Sequence, residues 1–299
     1  MQFLADGLVA GATIGLGAVG VTLTYSILRF ANFAHGEFIS WGCYLTLVVA
    51  GAIGAWSSAS VAALGALSIG PNVLAAGLLA MALTGLLAIG LDALLFRRLR
   101  RHGSSITSVI ASFGAALALR AALEAIFSSR PVYLSQELQI AMRIGGLRIT
   151  PDQLALLGVA VLLVGALQLL LTRSNAGRSM RAVSENPALA RIVGIDVAAV
   201  IRLTWFIGGA LACAAGVMLG LVVQIRPTMG AELLLPLFAA AILGGIGSVP
   251  GALLGGLIVG LAEAATVQVI GAEWRAAVAF MILIAVLLLR PAGLFGRPA

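Results

Sequence analysis

The chain has 299 residues, 61% of them apolar and only 10% charged, with a mean hydropathy of +1.12. Soluble chains average about 45–50% apolar and about 25% charged residues, so a water-soluble globular fold is excluded and an integral membrane protein is expected. All 18 basic residues are arginine, set against 11 acids for a net charge of +7. Without lysine there is no Gly-Lys-Ser/Thr to reach nucleotide phosphates, so the chain hosts no Walker A loop and any ATP that drives it must bind on another subunit. The arginines stand at the ends of apolar runs, which reads as inside-positive anchoring rather than a nucleic-acid patch.

Backbone groups in hydrocarbon must be satisfied internally, and the apolar runs are continuous Leu/Ala/Val/Gly stretches rather than alternating strands. The expected fold class is therefore an all-α polytopic bundle. In chain order, spans of about 20 residues are expected near 8–28, 38–55, 73–96, 104–127, 152–172 and 203–224. Three less regular spans follow near 233–246, 250–270 and 276–289. Asp6 sits where a basic leader region would stand, so no cleavable signal is expected.

The first break, residues 29–37, gathers Arg29, Asn32, His35 and Glu37 between two apolar runs. Polar groups at membrane depth are costly and usually pair or line a water-filled path, so Asn32, His35 and Glu37 are candidates for a translocation pathway. If the break lies at the interface instead, Arg29 is an anchor and His35 a turn residue. The run 59–70, closed by Gly70-Pro71-Asn72, fits a short span, a re-entrant piece or an external lid; with it as a span the N-terminus is inside, without it outside. The RRLRR cluster at 97–101 and the polar stretch 173–202 are expected on the cytoplasmic side, which places 128–151 outside. There Arg130, Arg143 and Arg148 are partly offset by Glu137 and Asp152, with Gly145-Gly146 and a helix start at Thr150-Pro151 as structured features. Within the fourth span, Arg120 and Glu124 are four residues apart and are expected to neutralise each other.

The stretch 173–202 holds five arginines, Glu185 and Asp196. Asn186 is placed to cap a short helix with Pro187 as its first residue. Ala188, Leu189, Ile192 and Val193 then fall on one apolar stripe, Arg191 stands off it, and Gly194 can end the helix in a left-handed cap. The stripe needs a surface, either a groove on another protein or the lipid interface.

Arg290 and Arg297 place the C-terminal tail inside as well, which requires an even number of crossings after residue 202. Splitting 233–270 at Gly244, Gly245, Gly247 and Pro250 satisfies this, as a broken or re-entrant helix pair or as a plain corner between two short helices. Gly20-Val21-Thr22-Leu23 ahead of Arg29 and Gly36-Glu37 is echoed by Gly216-Val217-Met218-Leu219 ahead of Arg226 and Gly230-Ala231-Glu232, a hint of duplicated halves. The glycines from Gly7 to Gly20 and at Gly255-Gly256 are read as close-packing positions. Cys43 and Cys213 lie in apolar runs and read as buried free thiols. No His/Cys spacing suits a metal, no Ser/His/Asp set can be assembled, and no cofactor is expected.

Four ordered motifs, GVTLTYSILRFANFAHGEFISWGCYL at 20–45, SNAGRSMRAVSENPALARIVGID at 174–196, FAAAILGGIGSVPGALLGG at 238–256 and RPAGLFG at 290–296, resemble the H-type (LivH-like) permease of branched-chain amino-acid ABC importers. The resemblance spans nearly the whole chain and implies a type II importer-like permease of roughly eight to ten spanning helices. It further implies a paired M-type permease, two cytoplasmic ATP-binding subunits, and a periplasmic binding protein that delivers leucine, isoleucine or valine across the bacterial inner membrane. On the same resemblance Arg181, Glu185, Asn186 and Gly194 take a coupling role toward the ATPase, joined by Leu189 and Arg191 of the short helix. Relatives that move urea, short amides or other amino acids share these motifs. A self-contained secondary transporter would need ion-coupling acids at mid-membrane, and Asp92, Glu124 and Glu263 all lie toward span ends. A membrane enzyme would need a catalytic set that the sequence lacks.

Overall fold

The computed structural model describes residues 2–56, 61–102, 104–134, 139, 141–144, 146–290 and 292–296. The expectations attached to Glu137, Gly145, Arg297 and residues 59–60 fall outside these. Helices dominate: α1 (Gln2–Leu28), α2 (Ala34–Trp56), α3 (Pro71–Leu91), a π-helical turn (Asp92–Phe96) running into α4 (Arg97–His102), α5 (Ser105–Phe127) and α6 (Pro151–Arg173). There follow α7 (Asn175–Glu185), α8 (Pro187–Ile192), α9 (Val197–Val222), α10 (Met229–Gly244), α11 (Val249–Val269) and α12 (Arg275–Leu289). Among the described residues eight helical stretches are long and apolar enough to cross a membrane, and α10, at 16 residues, is shorter. At 1.5 Å per residue α10 reaches about 24 Å, less than a bilayer core of about 30 Å. Each expected apolar run is helical with its ends moved by up to six residues, and α10, over the expected span 233–246, is the one too short to cross by itself. The π-turn lets α3 and α4 continue as one 30-residue rod from Pro71 to Arg100.

The central mast is α1, its middle buried on all sides. Gly7, Gly11 and Gly15 fall on one face, one turn apart. That face runs antiparallel along α11: a methyl group on Gly11 would come within 2.8 Å of the Leu257 Cα, and one on Gly7 within 2.9 Å of the Leu261 Cα. Gly256 and Gly260 of α11 answer with the same intimacy against Gly15 and Gly11. Lipid is as apolar as leucine, so helices in a bilayer gain by backbone approach rather than by excluding water, and the small residues supply it.

The faint sequence echo corresponds to an inverted arrangement. Gly208 of α9 lies against Gly20 and Thr24 of α1, and these two helices run antiparallel. α9 packs on α3 as α1 packs on α11, and the first turns of α2 and α10 meet backbone to backbone at Gly36 and Gly230. Ser40 ties this crossing, donating to the Pro227 carbonyl at 3.1 Å and accepting from the Gly230 amide at 3.0 Å.

The two ends of the bundle are distinct. At one, Gln2 exchanges hydrogen bonds with the Arg148 backbone, and Asp152 receives the Ser68 amide at 3.0 Å. This end also holds a small hairpin, β1 (Met142–Ile144) paired antiparallel with β2 (Leu147–Ile149), and the Thr150–Gln153 capping box that starts α6. Residues 61–70 form turns and bends at this end, so they do not span, and the start of α1 lies beside the hairpin. At the other end are α4, α7, α8, the α10–α11 corner and the C-terminal tail. The tail returns onto α10, Leu294 N donating to Leu243 O at 2.8 Å and Phe295 N to Gly244 O at 3.2 Å. It thereby satisfies carbonyls that a helix end leaves open.

Candidate functional site

Residues 29–33 interrupt the polypeptide inside the bundle. After Leu28 the chain turns through Arg29, held at φ +58°, and climbs back, so that the His35 ring rests against Gly20, two turns short of the end of α1. Irregular backbone survives at such depth only where protein supplies partners. Ser112 of α5 supplies them, its hydroxyl accepting from the Phe33 amide at 3.1 Å and lying 3.4 Å from the Ala31 carbonyl. Asn32 caps α2, its Oδ1 taking the Ala34 amide at 3.1 Å.

Asn32, His35 and Glu37 are all buried, between 1% and 4% exposed. Glu37 Oε1 accepts from Arg120 Nη2 at 2.7 Å, which draws α2 and α5 together. Arg120 thus pairs across helices, whereas its spacing in the sequence pairs it with Glu124; the closer carboxylate is one that local spacing does not reveal. Several polar atoms here have no partner among the described residues: Asn32 Nδ2, Glu37 Oε2 and both His35 ring nitrogens, the Gly17 carbonyl standing near the ring without a well-formed bond. Buried polar atoms are nearly always bonded, so such a concentration singles this break out as a candidate site. Of the other helical acids, Asp92 is held through both oxygens by Arg100 at 2.5 and 2.9 Å, and Glu263 through one by Arg275 at 2.7 Å.

The second cluster is the loop between α6 and α9. Ser174 caps α7 through the Gly177 amide, and Asn186 Oδ1 takes the amides of Ala188 and Leu189, each at 3.0 Å, to start α8 at Pro187. Gly194 follows at φ +85°, a left-handed conformation that glycine adopts without strain. Arg181 donates to the Leu171 carbonyl and folds α7 back on α6, while Ala190 and Met180 turn inward. Leu189, Ile192 and Val193 point away from the bundle at 56%, 81% and 68% exposure; Glu185, Asn186 and Arg191 are exposed too. The Arg29 guanidinium donates to the Ser184 carbonyl, so the loop and the first break are joined directly. In the sequence Arg29 stands as one of the polar groups of the break, or as an anchor if the break is interfacial, and nothing local points from residue 29 to residue 184.

The third feature is the corner between α10 and α11. Gly245 and Gly247 stand at φ +94° and +92°, Ser248 caps α11, and Pro250 occupies its first turn. Thr22 of α1 accepts the Gly247 amide at 2.7 Å. Gly244 packs on Gly251 so tightly that a side chain has no room.

With this geometry in view, comparison with known proteins is decisive. Residues 3–287 match the family described as branched-chain amino acid transport system / permease component. The chain belongs to that family. It is 34% identical to the high-affinity branched-chain amino acid transport system permease protein BraD of Pseudomonas aeruginosa, over 100% of this chain and 96% of that one. It is 33% identical to LivH of Escherichia coli over the same shares, and 28% identical to a probable LivH of Methanocaldococcus jannaschii over 93% and 87%. Among solved structures, PsaBC from Streptococcus pneumoniae aligns over 99% of this chain and 94% of that one, with a TM-score of 0.48 and 14% identity. The protein is thus a multi-pass permease component, and its helical bundle is the permease body.

Proposed function

We propose that this permease is one subunit of an ATP-driven importer that carries branched-chain amino acids across the bacterial inner membrane. In this reading the arginine-rich end is cytoplasmic, the whole chain is one permease domain, and α7–α8 is its coupling segment. The partners are an M-type permease, two cytoplasmic ATP-binding subunits and a periplasmic binding protein. The observation that carries it is α8: a capped helix at the arginine-rich end whose Leu189, Ile192 and Val193 are exposed. Exposed apolar side chains clustered on a short helix suit a partner groove. The chain lacks lysine and so a Walker A loop of its own, which fits borrowed energy. Among the family's other substrates, urea and short amides lack the aliphatic side chain named for the relatives above.

The orphaned atoms of Asn32, His35 and Glu37 support a place on the translocation route, opened when α2 and α10 part at Gly36 and Gly230. The 244–250 corner serves as the hinge. The test is copurification and uptake with the neighbouring subunits. Leu189→Asp and Gly194→Pro leave the permease inserted but lose the ATP-binding subunits, and Asn32→Ala and Glu37→Gln keep the assembly but lose uptake. Normal ATPase stoichiometry and uptake in the α8 variants would remove the coupling role. Normal uptake in both break variants would remove the pathway role.

A further inference from the structure

A cavity of about 450 Å³ opens among α1, α6, α9, α10, α11 and α12 on the hairpin side of the bundle, away from the break and the coupling segment. Its size falls in the range of small-molecule sites, about 300–1,000 Å³. Val9, Ile14, Leu219, Val222, Leu233 and Val267 make its walls apolar, and Asp6, Glu263 and Arg275 supply its charges. Glu263 is 1% exposed, and only one of its carboxylate oxygens is bonded, to Arg275 Nε at 2.7 Å. The other, Oε1, is buried without a partner among the described residues. Arg275 uses Nε for that bond, and its terminal nitrogens make no hydrogen bond among the described residues. Asp6 is in no ion pair among the described residues; its carboxylate takes one hydrogen bond, from Gln2 at 3.1 Å.

A buried carboxylate oxygen with nothing to accept is expensive unless a donor visits it. Beside it stand free guanidinium donors, and around both lies an aliphatic wall. One ligand matches all three: a zwitterion with adjacent ammonium and carboxylate groups and a branched aliphatic side chain. We infer that this cavity is an entry subsite for a free aliphatic α-amino acid, the ammonium on Glu263 Oε1 and Asp6, the carboxylate on the Nη groups of Arg275, and the side chain on the wall. The inference rests on the import reading above and adds a place and a contact set to it. A ligand with one charge satisfies half of the site and leaves the other half unpaired, so the cavity discriminates against singly charged analogues.

The test uses the assembled permease–ATPase complex in proteoliposomes, without the soluble binding protein, so that its docking does not shield the label. Cys43 and Cys213 are buried, so, read on this subunit's own band after gel separation, a cysteine placed at the cavity rim by Val223→Cys is the reactive thiol toward an impermeant maleimide. Leucine slows labelling roughly tenfold at about ten times its dissociation constant, since the free fraction falls as 1/(1 + [L]/Kd). Adding Glu263→Gln weakens that protection roughly ten- to hundredfold, the range for losing a hydrogen bond to a charged group. Val267→Phe, which fills the wall and spares the ion pair, abolishes protection while ATPase stoichiometry is kept. Undiminished protection in both variants, or equal protection by the deaminated and decarboxylated analogues of leucine, overturns the subsite; the latter marks a groove for acyl chains. An unprotected thiol in a complex that imports leucine defeats the cavity alone. A wild-type complex with its binding protein that imports no branched-chain amino acid defeats the import reading instead.

Discussion

The Glu37–Arg120 pair ties the first turn of α2 to α5. Glu37 is 2% exposed at its side chain and Arg120 28%, so the carboxylate depends on the guanidinium for its charge. Losing the guanidinium leaves the more buried carboxylate uncompensated, at a cost on the order of 3–5 kcal/mol, whereas the Arg120 that survives Glu37→Gln is 28% exposed and reaches water. Arg120→Ala is therefore expected to lower thermal stability in detergent more than the double variant Glu37→Gln/Arg120→Gln does; a milder loss in the single variant would show that the pair is solvated. The glycines behave on the same scale. Overpacking in a dense core costs about 1–3 kcal/mol, and Gly256→Val has the backbone of Gly15 and Gly11 to push against, whereas Gly158 has open space around it. Gly256→Val is expected to reduce the yield of folded permease and Gly158→Ala to leave it unchanged, read by fluorescence-detected size-exclusion chromatography. Close packing was legible in the sequence from the glycine-rich run between Gly7 and Gly20, though not which of its glycines meet α11. The choice of Glu37 over Glu124 was not, because spacing reports neighbours within a helix and says nothing of which helix lies alongside.

Among the elements, those with local signals were readable and those made by distant contacts were not. Asn186, Pro187 and Gly194 announce α8 through cap chemistry that acts within three or four residues, and Thr150 and Pro151 announce α6 in the same way. The 244–250 break carries its own glycines and proline. The folding of the tail onto Leu243 and Gly244, and the link from Arg29 to Ser184, join residues about 50 and 155 apart and leave no periodic trace. That link makes an element-scale prediction. If Arg29 passes movement of α7 to the break, Arg29→Ala keeps the ATP-binding subunits bound and hydrolysing while substrate uptake falls; hydrolysis and uptake that fall in strict proportion would assign Arg29 to assembly alone.

At the scale of the whole molecule, arginine parity and the fold agree on one arrangement. Residues 97–100, α7, α8 and the tail share an end, the hairpin and the start of α1 share the other, and residues 61–70 do not cross. With both native thiols buried, single cysteines report this directly. Leu4→Cys and Arg143→Cys should react with an impermeant reagent in intact cells, and Ser179→Cys only after permeabilisation; external reaction at position 179 would invert the orientation. Hydropathy made the spans legible, whereas the inverted pairing of α1–α2–α3 with α9–α10–α11 needed the contacts at Gly36–Gly230 and Gly20–Gly208 to become visible. The central claim, that this bundle moves branched-chain amino acids with energy borrowed from partner subunits, is tested most directly by uptake into proteoliposomes. The permease is reconstituted with its M-type partner, both ATP-binding subunits and the binding protein, and radiolabelled leucine is followed with and without ATP. The account predicts accumulation that requires ATP and every subunit, and that Leu189→Asp abolishes; leucine accumulation without ATP, or by this chain alone, would contradict it.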